Sequence, residues 1–233
     1  MNKRKLNLSR LKGKIIAIDG PAGSGKSTTA KILAARLGYS YLDTGAMYRA
    51  LTHFALKNNI SPSDSTKLSA LAKKLPIEFK TDAEVNRVFI NGEEVTDAIR
   101  SPEVTRYVSE VSAHQGVRKA MVAKQKQMGK NGSIVAEGRD TTTVVFTDAD
   151  LKIYLSASVK ERAGRRLLDM TKMGISTNLE EQMADIERRD AYDSQRRHSP
   201  LKKAKDAFTV DTTDMTVEDQ VDYIISLMRS VLK

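Results

Sequence analysis

A short apolar run, Lys14-Ile15-Ile16-Ala17-Ile18-Asp19, leads directly into Gly20-Pro21-Ala22-Gly23-Ser24-Gly25-Lys26-Ser27-Thr28. Helical spacing begins at Lys26 and continues through Ala30, Leu33, Ala34 and Leu37 to a capping glycine, Gly38. The central stretch fits G-x-x-x-x-G-K-[ST], a phosphate-binding loop, and it stands between a buried strand and a helix, the context that loop requires. Each part has a physical task. The glycines let backbone N–H groups close on a polyphosphate, and the helix aims the positive end of its dipole at the anion. Lys26 brings a full charge to the β- and γ-phosphates, and Ser27 offers a hydroxyl to Mg2+. A chance glycine-rich turn would lack both flanking elements. The spacing therefore assigns residues 20–28 to nucleoside triphosphate binding.

The rest of the chain alternates in the same way. Tyr39–Leu42 reads as a second strand and Ala46–Lys57 as a second helix. After a helical stretch over Lys67–Leu75 the pattern changes to short strands at Ile77–Lys80, Val85–Ile90 and Glu93–Thr96. Asn91-Gly92 supplies a hairpin turn between the last two. Ser101-Pro102-Glu103 is a helix start with a capping serine and a first-position proline. A long helix is then expected over Val104–Met128, strands at Ser133–Glu137 and Leu151–Leu155, charged helices at Val159–Met173 and Leu179–Arg197, and a last strand at Ala207–Val210. Thr216 with Asp219 opens a final amphipathic helix. The expectation is an α/β fold with a doubly wound, five-stranded parallel sheet flanked by helices. Its organisation reads as a basic tail over 1–13, a core over 14–40, 103–160 and 198–233, an antiparallel insertion within 41–102, and a short helical lid over 161–197.

Charge narrows the ligand. With 39 Lys+Arg against 29 Asp+Glu the net charge is +10, which attracts nucleic acid, acidic membranes or phosphorylated small molecules. There is no Cys, so thiolate metal sites and cysteine nucleophiles are excluded, and the three His residues are scattered. No apolar run reaches the roughly 18 residues of a membrane span. The basic start is followed by Arg10, Lys12 and Lys14 before any apolar stretch, so no secretion signal is read and a cytoplasmic location is expected. No oligomerisation signal is visible, and a monomer is expected.

Three further clusters carry possible acceptor chemistry. Leu42-Asp43-Thr44-Gly45-Ala46-Met47-Tyr48-Arg49 stands at the carboxyl edge of the second strand, where such sheets bind ligands. Arg49 could grip an acceptor phosphate there, and Asp43 could reach Mg2+ through water. Glu137-Gly138-Arg139-Asp140 follows another strand. Seven arginines then fall within 36 residues: Arg162, Arg165 and Arg166 on one helix face, and Arg188, Arg189, Arg196 and Arg197 around Asp193. Arginine presents planar, bidentate donors suited to phosphate, and phosphoryl transfer needs cations around the migrating group. Each cluster also has a plain reading as an ion pair or a solvated basic face. Only Tyr192 lies near the arginines, so stacked nucleic-acid bases have little support.

Together these runs resemble the bacterial cytidylate kinases, nucleoside monophosphate kinases, over nearly the whole chain from about Lys14. The most specific carriers are the run from Leu42 to Arg49 and Arg189-Asp190-x-x-Asp193-Ser194-x-Arg196 continuing to Ser199-Pro200-Leu201. The resemblance implies Mg2+-dependent transfer of the ATP γ-phosphoryl group to CMP or dCMP, with small-molecule nucleotides as partners and neither a specific nucleic acid nor a membrane. It implies Lys26, Arg162 and Arg189 as catalytic groups. Arg162, Arg165 and Arg166 join the loop over ATP. Thr44, Arg49, Ser109, Arg118, Arg139, Asp140, Arg189, Asp193 and Arg196 are assigned to CMP. Ser27 ligates Mg2+, with Asp43 reaching it through water. It also implies that 41–102 binds the monophosphate. Glu137, Thr142 and Thr147 depart from the usual Asp, Gly and Pro. Two rival readings keep the loop: a small-molecule kinase acting on a hydroxyl with Asp43 as base, and a nucleic-acid-binding protein whose arginines track phosphates.

Overall fold

The computed structural model describes residues 12–81 and 86–232. Nearly all of the basic tail over 1–13 lies outside these, as does Val85 of the expected strand. The elements are β1 (Ile15–Asp19), α1 (Lys26–Leu37), β2 (Ser40–Asp43), α2 (Thr44–Lys57), α3 (Ser65–Lys74), β3 (Ile77–Thr81), β4 (Asn86–Ile90), β5 (Glu93–Glu94), a 3-10 turn (Ala98–Arg100), α4 (Pro102–Ala113), α5 (Gln115–Met128), β6 (Ile134–Gly138), a π-type turn (Thr141–Val145), β7 (Leu151–Ser156), α6 (Val159–Lys172), α7 (Leu179–Gln195), β8 (Phe208–Asp211) and α8 (Val217–Val231).

Five parallel strands form the main sheet in the order β2-β6-β1-β7-β8, as the alternating pattern predicts. Successive residues point to opposite faces. Ile16 and Ile18 therefore enter a core with Leu33 and Leu37 of α1 and Val221, Ile224 and Met228 of α8. Ala17 enters a second core on the other face with Met47 and Leu51 of α2, Val108 of α4 and Met121 of α5. The insertion is a separate antiparallel sheet, β3-β4-β5, whose Ile77, Val88 and Ile90 join that second core. Its last strand is only two residues long, shorter than Glu93–Thr96.

The expected single helix over Val104–Met128 is two helices. His114 leaves helical geometry (φ −64°, ψ 124°) and its ring Nε2 lies 2.7 Å from the Pro62 carbonyl oxygen. The break lets α5 lie against α3, where Gly116 meets Ser69 so closely that an added Cβ would fall within 2.7 Å of the serine Cβ. Apolar periodicity runs through the break on both sides, so spacing alone did not reveal it. The Ser101 cap (3.3 Å to the Val104 N–H), the proline after it and the Thr216–Asp219 capping box are all formed.

The carboxyl ends of β1, β2 and β6 converge on one edge. The loop after β1, the start of α2 and the turn after β6 meet there, and α6 and α7 pack together as a pair above them.

Candidate active site

One side of the candidate site is the loop from Gly20 to Ser27. Gly23 takes φ 75°, and a Cβ there would sit 2.9 Å from the Arg162 carbonyl oxygen, so neither the conformation nor the space admits a side chain. Lys26 is 5% exposed and its Nζ donates to the Pro21 carbonyl at 2.9 Å. Burial, reinforced by Arg139, lowers its pKa to about 7. Ser27 Oγ donates to Glu137 Oε1 at 2.6 Å, and the Tyr41 hydroxyl reaches the same oxygen at 3.2 Å. Burial and the nearby Asp43 raise the Glu137 carboxyl. Thr28 is exposed at the helix start.

Two arginines of α6 brace this loop. Arg162 donates to the carbonyls of Ala157 and Ala22, each at 3.0 Å, and pairs with Asp190 of α7. The other Asp190 oxygen accepts the Ala22 N–H at 3.2 Å. Arg165 turns to Thr212, donating to its carbonyl at 2.6 Å and its hydroxyl at 3.1 Å, and that hydroxyl also donates to the Ser24 carbonyl at 3.2 Å. Arg165 thus supports the loop from behind. Arg166 makes no hydrogen bond among those of the described residues, and it feels the positive charges of Arg49 and Arg100. It belongs electrostatically with the second group of residues.

That second group comes from α2, α4, α5, α7 and the turn after β6. Asp43 Oδ1 caps α2 through the Ala46 N–H at 2.7 Å, and Oδ2 accepts from Arg49 at 2.6 Å. Both Asp43 oxygens are thereby engaged, and the carboxylate on Ser27 is that of Glu137. Thr44 Oγ1 donates to the Glu137 carbonyl at 2.7 Å. Arg139 Nε donates to Asp193 Oδ2 at 3.0 Å. Burial opposes the charge on Arg139, yet the Asp193 and Glu137 carboxylates hold its pKa above the ordinary value. Arg118 is 4% exposed, pairs with Asp140, donates to the Ser112 carbonyl at 3.1 Å and lies 5.2 Å from the centre of the Tyr48 ring. Arg196 sits 3.6 Å from Asp193 and 3.8 Å from Asp140. Ser109 is half-buried on α4, and its carbonyl accepts from Ser112.

Arg189 stands apart. Its Nε is buried without a partner, and it has no ion pair among the described residues. Burial first, then Arg139, lowers its pKa to about 10. A guanidinium gathered with Arg139, Arg49 and Arg166 and left unpaired is a seat for an anion.

Some contributors were missed in the sequence. Asp19 is fully buried, and it accepts the N–H groups of Thr141 and Thr142 at 2.8 and 2.7 Å and the Thr142 hydroxyl at 2.6 Å. Asp190 and Tyr48 likewise act through partners 28 and 70 residues away, a separation that spacing rules do not reach. Two of the departures gain a physical account here: Glu137 reaches Ser27, and Thr142 reaches Asp19. Nothing in the structure explains Thr147, which is exposed.

A protein-family model described as cytidylate kinase matches residues 16–230. The chain belongs to the cytidylate kinase family. It is 50% identical over 213 residues to the cytidylate kinase of Geobacillus sp. (strain WCH70), covering 91% of this chain and 95% of that one. It is 47% identical over 210 residues to the cytidylate kinase of Bacillus subtilis (strain 168), covering 90% and 94%. Among solved structures, an uncharacterised protein from Eubacterium ventriosum ATCC 27560 aligns over 94% of this chain and 99% of its own, with TM-score 0.51 and 14% identity, a likeness of fold alone. Family membership agrees with the resemblance read from the motifs. Among the described residues no helix is long and apolar enough to cross a membrane.

Proposed function

We propose that this chain transfers the γ-phosphoryl group of ATP to CMP or dCMP, giving ADP and CDP or dCDP, with Mg2+. The observation that carries the reading is the unpaired Arg189, grouped with Arg139 and Arg49 on the acceptor side of a phosphate-binding loop and beside the buried Arg118–Asp140 pair. The cations suit a monophosphate, and the Arg118–Asp140 pair presents donors and acceptors to a pyrimidine edge, with Ser109 beside it. Arg196 joins the cations around the monophosphate, and Asp193 is left to the sugar.

The reaction needs no strong general base. A CMP phosphate oxygen is already anionic at neutral pH. It attacks the γ-phosphorus as the bond to the β,γ-bridging oxygen breaks and ADP leaves. Catalysis reduces to alignment and neutralisation of charge. Lys26 and Arg162 act from the donor side and Arg189 from the acceptor side. Arg165 and Arg166 belong to the covering helices, the first holding the loop and the second extending the acceptor cations. α6 and α7 act as a lid that excludes water.

The oxygen set around Ser27 fits Mg2+. A hydroxyl hydrogen-bonded to the Glu137 carboxylate, with Asp43 nearby, offers the few hard donors this ion takes from protein while phosphate oxygens and waters complete its shell. Ser27 and Glu137 would hold it, and the bound ion supplies charge neutralisation at the β- and γ-phosphates.

The direct test is ADP formation from ATP and Mg2+ with CMP, dCMP, UMP, AMP and no acceptor. ADP well above the rest with CMP and dCMP is expected. Equal ADP in all five reactions, or none, would overturn the reading in favour of a hydroxyl acceptor or a nucleic-acid ligand.

A further inference from the structure

The donor loop and the acceptor residues are separate in sequence, yet one side chain joins them. Asp19 is the last residue of β1, immediately before Gly20. Its register partner is Gly138, and the turn that follows Gly138 carries Arg139 and Asp140. The Asp19 carboxylate reaches across to that turn with three hydrogen bonds: Thr141 N–H to Oδ1, and Thr142 N–H and Thr142 hydroxyl to Oδ2. These N–H groups open the π-type turn Thr141–Val145 and have no acceptor within their own helix. The contact is fully enclosed, with Asp19 and Thr141 at 0% exposure and Thr142 at 2%. Water cannot substitute for a lost partner there.

We propose that Asp19, with Thr142 as its side-chain donor, is a positioning residue that keeps the phosphate-donor loop and the Arg139–Asp140 turn in fixed register. It touches neither nucleotide. One oxygen anchors the first N–H of the turn, and the other anchors the second N–H together with the Thr142 hydroxyl. The last residue before the loop is thereby clamped to the first and second residues after Asp140. The acceptor phosphate held by Arg139 and the γ-phosphate held by the loop are aligned through this clamp. The inference rests on the proposed phosphoryl transfer between those two sites.

A positioning role predicts a particular kinetic split. In-line transfer is sensitive to displacements of about 1 Å, which cost roughly 10²-fold in rate, whereas each nucleotide bound alone needs only its own half of the site. Asp19→Asn keeps the side-chain shape but turns one acceptor oxygen into an N–H2 group facing donors. Thr142→Val removes only the hydroxyl, and Thr142→Ser keeps it.

The measurements are kcat at saturation, the separate Kd values of ATP·Mg2+ and of CMP by calorimetry, and Tm. The expectation is a fall in kcat of at least about tenfold in Asp19→Asn and about threefold or more in Thr142→Val, with both Kd values within about threefold of the unaltered chain. Thr142→Ser should return kcat to within about twofold. If Asp19→Asn does not fold, the two Thr142 variants decide. Unchanged kcat in Thr142→Val overturns the inference, and so do Kd values that weaken in step with the rate or a lower Tm with normal kcat. If the unaltered chain forms no ADP with CMP, the proposed function fails and this inference falls with it. If it does form ADP and the variants match it, this inference alone fails.

Discussion

Nine buried side-chain polar atoms lack a well-formed hydrogen bond among the described residues, Arg196 Nη2 keeping only a longer 3.8 Å ion pair with Asp140, and they divide unevenly between the two halves of the site. Only Ser24 Oγ belongs to the donor loop. Arg49 Nε, Arg118 Nε, Arg189 Nε, Arg196 Nη2, Tyr48 Oη, Gln125 Nε2 and the hydroxyls of Thr141 and Thr143 belong to the acceptor half or its support. On the donor side, Lys26, Arg162 and Arg165 all have protein partners. An orphaned buried polar group costs about 1–3 kcal/mol. A fold that concentrates such groups on one side has shaped that side for a ligand with many hydrogen-bonding atoms. Under the proposed function, the cations beside the loop meet their ligand already paired within the protein, whereas the groups of the acceptor side take partners from the ligand.

The strongest way to break this contrast is at Arg189. Arg189→Ala should lower kcat by roughly 10²- to 10³-fold while the Kd of ATP·Mg2+ changes less than about threefold, because in the proposed reaction this side chain supports charge at the transferring group. Arg162→Ala should also lower turnover, with a larger effect on ATP affinity than Arg189→Ala, since it holds the Ala22 carbonyl and Asp190. Equal ATP effects in both variants would erase the distinction between the halves.

Next in size is Arg118→Met. It leaves Asp140 buried with only the longer 3.8 Å pair to Arg196, so the loss of stability should be about 3 kcal/mol, read by chemical denaturation. Discrimination of CMP against UMP should fall about tenfold in the same variant, by the loss of one buried charge-assisted contact.

A smaller effect is expected from pH. Burial lowers the Lys26 pKa to about 7 in the free site, so its ammonium is mostly present below pH 7 and mostly lost by pH 8. The polyphosphate favours the charged form. ATP binding at pH 8 should therefore take up about one proton, detected by calorimetry in buffers of different ionisation enthalpy, and affinity should decline as pH rises through 7. Proton release instead would refute the low value. The smallest effect lies outside both halves: Thr216→Ala removes the α8 cap and should cost about 1 kcal/mol of stability with kcat unchanged.

The same contrast governs what could be read from the chain. The donor loop is contiguous and its geometry is backbone geometry, so residues 20–28 declared their task together with the flanking strand and helix. The five-stranded sheet was legible for a related reason: its strands are short apolar runs separated by helical periodicity, and Asn91-Gly92 marked the antiparallel insertion. The acceptor half is built from side chains on five distant segments. Arg49, Arg139 and Arg189 could be marked from the sequence as candidate phosphate ligands, but each also read as an ion pair or a solvated charge until the motifs around them were set beside a known family. Asp19 passed as the polar end of an apolar strand, and Tyr48 drew no role of its own, because the groups they meet are set by tertiary contact. The break at His114 was hidden by continuous apolar spacing. Arg162 and Arg165, three residues apart on one helix face, take different partners, Asp190 and Thr212, which their spacing alone did not reveal.

One contact at the mouth of the donor loop changes the arithmetic of nucleotide entry. Asp190 holds the Ala22 N–H with one oxygen and Arg162 with the other, and under the proposed function an arriving phosphate meets these same two donors. Filling the loop is then an exchange of one oxyanion for another, with an internal counter-ion expelled as the external one enters. Under the proposed function, the affinity for a nucleotide is the difference between what its phosphates gain there and what the chain gives up when Asp190 lets go.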